Sequence, residues 1–345
     1  MVGMVIGMLG IIVMMQVFLV SDASRRTTGG AGDAQTNGTS ALYALQRDIR
    51  QAGYGITSLD LVGCDILLRT GVTLTAMAPL TINHASIPAG DANTDTLLVV
   101  YANSAGTPEG DVIVLQPATT TYAVTAPTSF AVGDFIIAEP ANRPVNCSLT
   151  MEPVLTRTAS PPNLTVAVGV AAIANGTLFN MGPAPRILAY AIRGGNLTVC
   201  DYQAADCADA DLATDASVWT PLVNDILSMR VEYGRDTTAA MDGIVDVWDQ
   251  ITPGSAADTS GLSLPCSISR VQAARLVLVA RSGSFEKEAV TTAAPTWNGS
   301  AGAPINLSAN PDGTAYADWQ QFRYKLFQTV APLRNVVSLG VQTGC

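Results

Sequence analysis

The chain is poor in the groups that carry most enzyme chemistry. It has one histidine, His84, and none of its cysteines, at 64, 147, 200, 207, 266 and 345, stands in a CxxC pair. Zinc sites draw on histidine or closely spaced cysteine, and c-type haem attachment needs CxxCH, so neither is expected. A serine hydrolase would need His84 as its base, yet IPAG follows it in a loop-like context and no GxSxG elbow occurs. His84 therefore reads as an ordinary loop or core residue, and no catalytic residue and no cofactor is expected. Charge is also scarce: 13% of residues are Asp, Glu, Lys or Arg, and the formal charge is -10. No basic stripe is present, which excludes nucleic acid as a partner, because a phosphate backbone requires clustered cations.

The first twenty residues, MVGMVIGMLGIIVMMQVFLV, lack charge altogether, and Gln16 is their one clearly polar side chain. A helix of that length spans roughly 30 Å, enough for a bilayer core. A signal peptide would show a charged n-region and a small-residue cleavage site; with neither present, a membrane-anchored or bundle-forming helix is the better reading. Gly3, Gly7 and Gly10 point to packing. Glycine inside a helix costs about 1 kcal/mol relative to alanine, and the Gly3-xxx-Gly7 spacing lets helix backbones approach closely. Phe18 is the one aromatic side chain of the run, and its methionines read as adaptable apolar filler. Arg25 and Arg26 would by themselves hold the following chain in the cytoplasm. An even cysteine count at wide spacing fits disulfides in an oxidising compartment, and we let the cysteines decide, with the large domain outside.

Beyond Arg26, Gly29, Gly30 and Gly32 are expected to break the helix. A second helix then starts with Thr39 or Ser40 as N-cap and stops at Gly53. Leu42, Leu45, Ile49 and Ala52 share one face, the face expected to pack on the head, while Arg47, Asp48 and Arg50 point elsewhere. From residue 57 the chain is strand-like, with candidates at 96–102, 111–116, 134–139, 163–168 and 227–233. Gly194-Gly195 makes a two-residue hairpin turn. Thr220-Pro221 is expected to open a short helix through Leu227, and Trp319, Phe322, Tyr324 and Phe327 to be core. The result is an α+β chain divided into an apolar stem (1–26), a flexible break with an amphipathic helix (27–56) and a β-rich head (57–345).

Two local clusters remain. Of the possible cysteine pairings, local sequence suggests Cys200 with Cys207. Asp236, Asp242 and Asp246 are weak calcium candidates: Thr238 and Ala240 occupy two of the likely ligand positions, whereas a hard cation needs six or more oxygens, so a solvated turn is the preferred reading.

The run SRRTTGGAGDAQTNGTSALYALQRDIRQAGYGI resembles the segment after the membrane helix in the PilW-like family of type IV minor pilins. ILAYAIRGGNLTVCDY, ILSMRVEYGRDT with DGIVDVWD, RVQAARLVLVARS and FRYKLFQTVAPLRN resemble it further, in the same order. Residues 57–184 are poorly covered. The prepilin leader, the cleavage site and the glutamate of such pilins are not matched here, and Met1 and Val2 fall just after that glutamate, so its role is carried onto no residue. The resemblance implies a structural subunit of a type IV pilus or similar filament, not an enzyme. Its partners would be copies of itself or other pilins, the inner membrane before assembly, and the pilus assembly machinery. Its final location would be an extracellular filament on the cell surface. Gly3, Gly7, Gly10 and Phe18 are then the filament-packing residues. The alternatives are a type II secretion pseudopilin or a membrane-tethered periplasmic binding domain.

Overall fold

The computed structural model describes residues 2–56, 58–337 and 345, without the side chains of 2, 5, 19, 20, 22–27 and 337, so the expectation built on Arg25 and Arg26 lies outside the described residues. One helix, α1 (Val2–Gln51), leads the chain. The strands follow as β1 (Asp65–Arg69), β2 (Val72–Leu74), β3 (Leu80–Ile82), β4 (Leu97–Tyr101), β5 (Asp111–Ala118), β6 (Thr121–Val124), β7 (Phe135–Glu139), β8 (Ser148–Pro153) and β9 (Thr156–Arg157). Next come β10 (Asn163–Thr165), β11 (Thr177–Gly182), β12 (Arg186–Arg193), β13 (Asn196–Asp201), β14 (Thr220–Val223), β15 (Ile226–Arg235) and β16 (Val247–Asp249). The short α2 (Leu264–Ser269), then β17 (Val271–Arg281), β18 (Tyr324–Pro332) and α3 (Arg334–Val337) follow.

α1 runs through Gly29, Gly30 and Gly32 without interruption, so the expected break, and the start of a second helix at Thr39 or Ser40, are not found. The Thr39 hydroxyl expected to cap folds back along the helix instead, Oγ1 donating to the Gln35 carbonyl at 2.7 Å, as Thr36 Oγ1 does to the Gly32 carbonyl at 3.0 Å. Contacts that propensity does not register also hold this stretch. Ala34 and Ala41 are buried on the head, and Gly38 sits against the Phe327 ring, where an added Cβ would fall within the ring. The glycine at 38 is thus a place where helix and strand touch. We expect Gly38→Leu to destabilise the docked helix by about 1–3 kcal/mol, the range for overpacking. Thermal unfolding would read this as a drop of several degrees, and pairing it with Phe327→Ala should recover part of the loss. The helix ends where expected, before Gly53, which takes the left-handed conformation at φ 83°.

Among the described residues the head contains three sheets. A five-stranded sheet, β14-β13-β12-β4-β3, lies at the centre with both faces covered. This explains why β4, LLVVY, is buried along its whole length rather than in alternation. Leu98 and Val100 enter a core shared with β1, β2 and β8; Leu97 and Val99 enter another, with Leu45 and Ile49 of α1 and Val231, Leu276 and Leu278. A four-stranded sheet, β16-β15-β17-β18, backs this second core, and the excursion between β17 and β18 covers its far face through Trp297, Ile305 and Leu307. A nine-stranded sheet, β2-β1-β8-β7-β11-β5-β6-β10-β9, completes the head and wraps a third core around Tyr122, Phe130 and Leu164. β12 and β13 turn through Gly194 and Gly195, both at positive φ (57° and 74°), as a tight hairpin with this twist requires. Thr220-Pro221 opens no helix. It begins the edge strand β14, where a proline can sit because an edge leaves one side of the ladder without a partner.

Glu139 of β7 is buried at 4% exposure, with its Oε1 accepting from Ser58 Oγ at 3.0 Å. Burial pushes this carboxyl up to about 7, against the lowering effect of the Ser58 bond. A carboxyl whose folded value exceeds its unfolded one favours the fold at low pH and loses that contribution as pH rises from about 4.5 to about 7. Burial holds His84 low, which acts in the opposite sense below its ordinary value. The measurement is therefore a difference. Wild type minus Glu139→Gln should lose roughly 1–2 kcal/mol across that interval in urea titrations, after discounting for solvent screening; a flat difference would contradict it.

Candidate functional site

The chemistry-bearing residues of this chain gather where α1 meets the head. Asp48, expected from its charge to point away from the core, is fully buried. Its Oδ1 accepts from Tyr101 Oη at 3.0 Å and from Arg47 Nε at 2.9 Å. Its Oδ2 accepts from Tyr190 Oη and from Arg47 Nη2. Tyr101 lies on β4 and Tyr190 on β12, paired neighbours in the central sheet, so one helical carboxylate is bonded to two strands. Asp48 sits at the margin of the Leu45/Ile49/Ala52 face; its polarity suggests solvent, but a carboxylate belongs in the interior once each oxygen has donors. Burial, and then the charge of Asp48, push both tyrosine hydroxyls well above their ordinary value, which keeps them protonated donors. The bond from Arg47 to Asp48 raises the guanidinium in turn.

Leu45, Ile49 and Ala52 are fully buried on the sheet, and Leu42 is partly buried beside them. Gln46 Nε2 bonds Thr329 Oγ1 on β18 at 2.9 Å, and Asn335 Nδ2 donates to the last carbonyls of the helix, Gln51 and Ala52, both at 3.1 Å. Beside the Asp48 cluster lies an open groove of about 670 Å³, lined among others by Gln51, Asn103, Arg186, Asp201 and Leu222. Its one ion pair among the described residues besides Arg47–Asp48 is Arg186–Asp201, at 3.5 Å with both partners part-exposed.

The outer half of α1 differs. Among the described residues nothing lies within 4 Å of a Cβ added at Gly3, Gly7 or Gly10, and Phe18 is 76% exposed. Met4, Ile6, Leu9, Val13 and Val17 are exposed as well. Among the described residues no helix is long and apolar enough to cross a membrane.

Asp236, Asp242 and Asp246 build a turn. Asp236 Oδ2 accepts from the backbone N–H groups of Asp242 and Gly243, both at 2.8 Å, and its Oδ1 from Thr238 Oγ1 and N. Asp246 Oδ2 accepts from Thr237 N at 2.7 Å. Burial alone would raise Asp236, but these donors outweigh it and hold the carboxyl low. Its oxygens are spent on the backbone, and among the described residues no group of three or more His, Cys, Asp or Glu is placed to hold a metal ion. The guanidinium of Arg270 braces the same turn through the carbonyls of Asp236, Thr238 and Ala239, and reaches the Cys345 carbonyl.

Three disulfides are present: Cys64–Cys147, Cys200–Cys207 and Cys266–Cys345. Local sequence suggested the second; the other two join residues 83 and 79 positions apart, a distance at which sequence carries no pairing signal. What the arrangement at the helix–head junction does is fix one helix rigidly at its C-terminal half and leave its apolar N-terminal half uncovered.

Residues 190–335 match the family model described as Type IV Pilus-assembly protein W, which bears out the resemblance drawn from the later sequence blocks. Among solved structures, the chain is similar to the Type IV-like pilin TTHA1219 from Thermus thermophilus. The alignment spans 86% of this chain and 92% of that one, at 11% identity and a TM-score of 0.33. No curated protein matches the chain.

Proposed function

We propose that the chain is a subunit of a type IV pilus or pilus-like filament, in which α1 stems pack in a helical core and the heads form the outer surface. The observation that carries this reading is the uncovered apolar half of α1: the described side chains between Met4 and Phe18 are exposed in the isolated chain, on a helix whose other half is firmly docked. Such a surface is stable in lipid or against other helices, not in water. The stem, whose described residues do not by themselves make a membrane-crossing helix, first lies with its apolar surface in the inner membrane, passes to the assembly machinery, and exchanges lipid contacts for contacts with copies of itself or other pilins. Heads carried by such stems repeat by one heterologous contact, which does not close and so gives an open fibre on the cell surface. Gly3, Gly7 and Gly10 are where neighbouring stems approach.

Electron microscopy of sheared surface fibres, with mass spectrometry of their subunits, tests this. Gly3→Leu with Gly7→Leu should abolish fibres while leaving the head folded and its disulfides intact. Fibres of normal number from that variant would refute stem packing at these positions. The description of the matched family as an assembly protein favours a second reading, in which a few copies act where a fibre begins. Counting copies per fibre separates the two: regular repetition supports the filament subunit, and copies confined to fibre ends support the assembly role.

A further inference from the structure

β18 closes one side of the four-stranded sheet, and its outer edge is open. Two backbone bonds fix which of its residues face outward. Ser282 N donates to the Arg323 carbonyl at 2.8 Å, and Leu333 N to the Gln272 carbonyl at 2.9 Å. Both belong to the register that pairs Ala273 with Pro332 and Arg281 with Tyr324 without a bulge. In an antiparallel ladder, inward-bonding residues alternate with outward-facing ones. Odd-numbered residues from 323 to 333 therefore bond β17, and Leu326, Gln328 and Val330 turn their N–H and C=O groups away from it. No described residue bonds these groups. Side chains do little to guard this edge: Gln328 is exposed, Val330 is 53% exposed, and Lys325 is the one charge on β18. Pro332, lacking an N–H, ends the open row.

We propose that this edge receives an extended strand from a second copy of the chain, the edge strand β14 together with the acidic segment that leads into it. Only another extended backbone offers alternating donors and acceptors at the spacing of the open row. Charge selects which one. The rim of β18 carries Lys325 and Arg334, both exposed and neither in an ion pair among the described residues, with Arg323 nearby. The approach to β14 carries Asp206, Asp209, Asp211 and Asp215, the last two exposed. β14 itself ends the five-stranded sheet and exposes Leu222. In a chain of net charge -10, whose copies otherwise repel, a basic rim meeting an acidic segment directs association to this pair of edges. The contact is heterologous, since β18 and β14 are different surfaces of one head, and it propagates without closing. It supplies the head-to-head component of the filament reading, on which it rests for the existence of repeating copies.

The test uses the full chain, dispersed in mild detergent and as sheared fibres, with residue-resolved amide hydrogen exchange. Phe327 and Thr329 amides should be protected in both states. Leu326, Gln328 and Val330 amides should slow by more than about tenfold on assembly. Gln328→Pro removes an outward N–H and no β17 bond, so it should leave thermal unfolding of the dispersed chain nearly unchanged while weakening association about tenfold. Lys325→Glu should weaken association similarly, and the exchange Lys325→Glu with Asp211→Lys should restore it. Fibres whose three outward amides exchange as fast as in dispersed chains would overturn this interface and leave the filament reading standing. Absence of fibres together with fast amides at every concentration would overturn both. Protected amides with no rescue by the charge exchange would overturn β14 as the occupant.

Discussion

Asp48→Ala is expected to lower the stability of the head by about 3–5 kcal/mol, the range for removing one partner of a buried charged network. The loss has two sources. Tyr101 and Tyr190 keep buried hydroxyls with no acceptor, each costing about 1–3 kcal/mol, and the helix loses its bonded link to β4 and β12. Arg47 adds little, because its side chain is 55% exposed and turns to water. Urea unfolding of the full chain in detergent gives the stability, and amide exchange along 41–51 tells whether the helix loosens first. The control is informative: Asp48→Leu combined with Tyr101→Phe and Tyr190→Phe removes every polar member and should recover most of the loss, since an apolar replacement of a whole network is often neutral. If the triple variant is no better than Asp48→Ala, the network is not what holds the helix. If Asp48→Ala costs under about 1 kcal/mol, water reaches the site more freely than its burial implies.

Removing the Cys64–Cys147 disulfide should have an effect of similar size. The closed loop spans 83 positions, and the chain-entropy relation assigns it about 4.5 kcal/mol, against about 2.5 kcal/mol for Cys200–Cys207 with its separation of 7. Cys64 also lies fully buried in the core that β1, β2 and β8 share with the central sheet, beside Ile66 and Leu149. Replacing both cysteines with alanine, measured by urea midpoint under non-reducing conditions, should therefore destabilise clearly more than the same change at 200 and 207. An equal or reversed order would show that unfolded-state loop length does not govern these bridges. The Cys64 pair ties the start of the head to β8, and so stands between the docked helix and the nine-stranded sheet.

Much of the fold was legible locally. The strand candidates at 96–102, 111–116, 134–139 and 227–233 coincide with β4, β5, β7 and β15 within a few residues, because runs of Val, Ile and Leu bounded by turn residues are a short-range signal. The Gly194-Gly195 turn was legible for the same reason, and so was the apolar face of α1. Local reading failed where a residue's partner lies far along the chain. Gly29, Gly30, Gly32 and Gly38 lower helix propensity, yet the helix continues, and from Gly30 onward the head packs against it, at Ser282, Ser284 and Phe327. Asp48 looked solvent-facing because its acceptor role is answered from positions 101 and 190. Pro221 looked like a helix start because nothing near it in sequence says that it borders a sheet.

By itself the sequence determined the composition class, the uncharged stem, the alternation of strands and turns, and the family likeness, since each depends on neighbours within a few positions. The tertiary structure alone decided that one continuous helix is clamped by a buried carboxylate, that two long-range disulfides join distant segments of the chain, and that β18 presents an open edge. These depend on which distant groups supply donors, acceptors or cover, and burial and hydrogen-bond satisfaction are properties of the packed chain, not of any stretch of it.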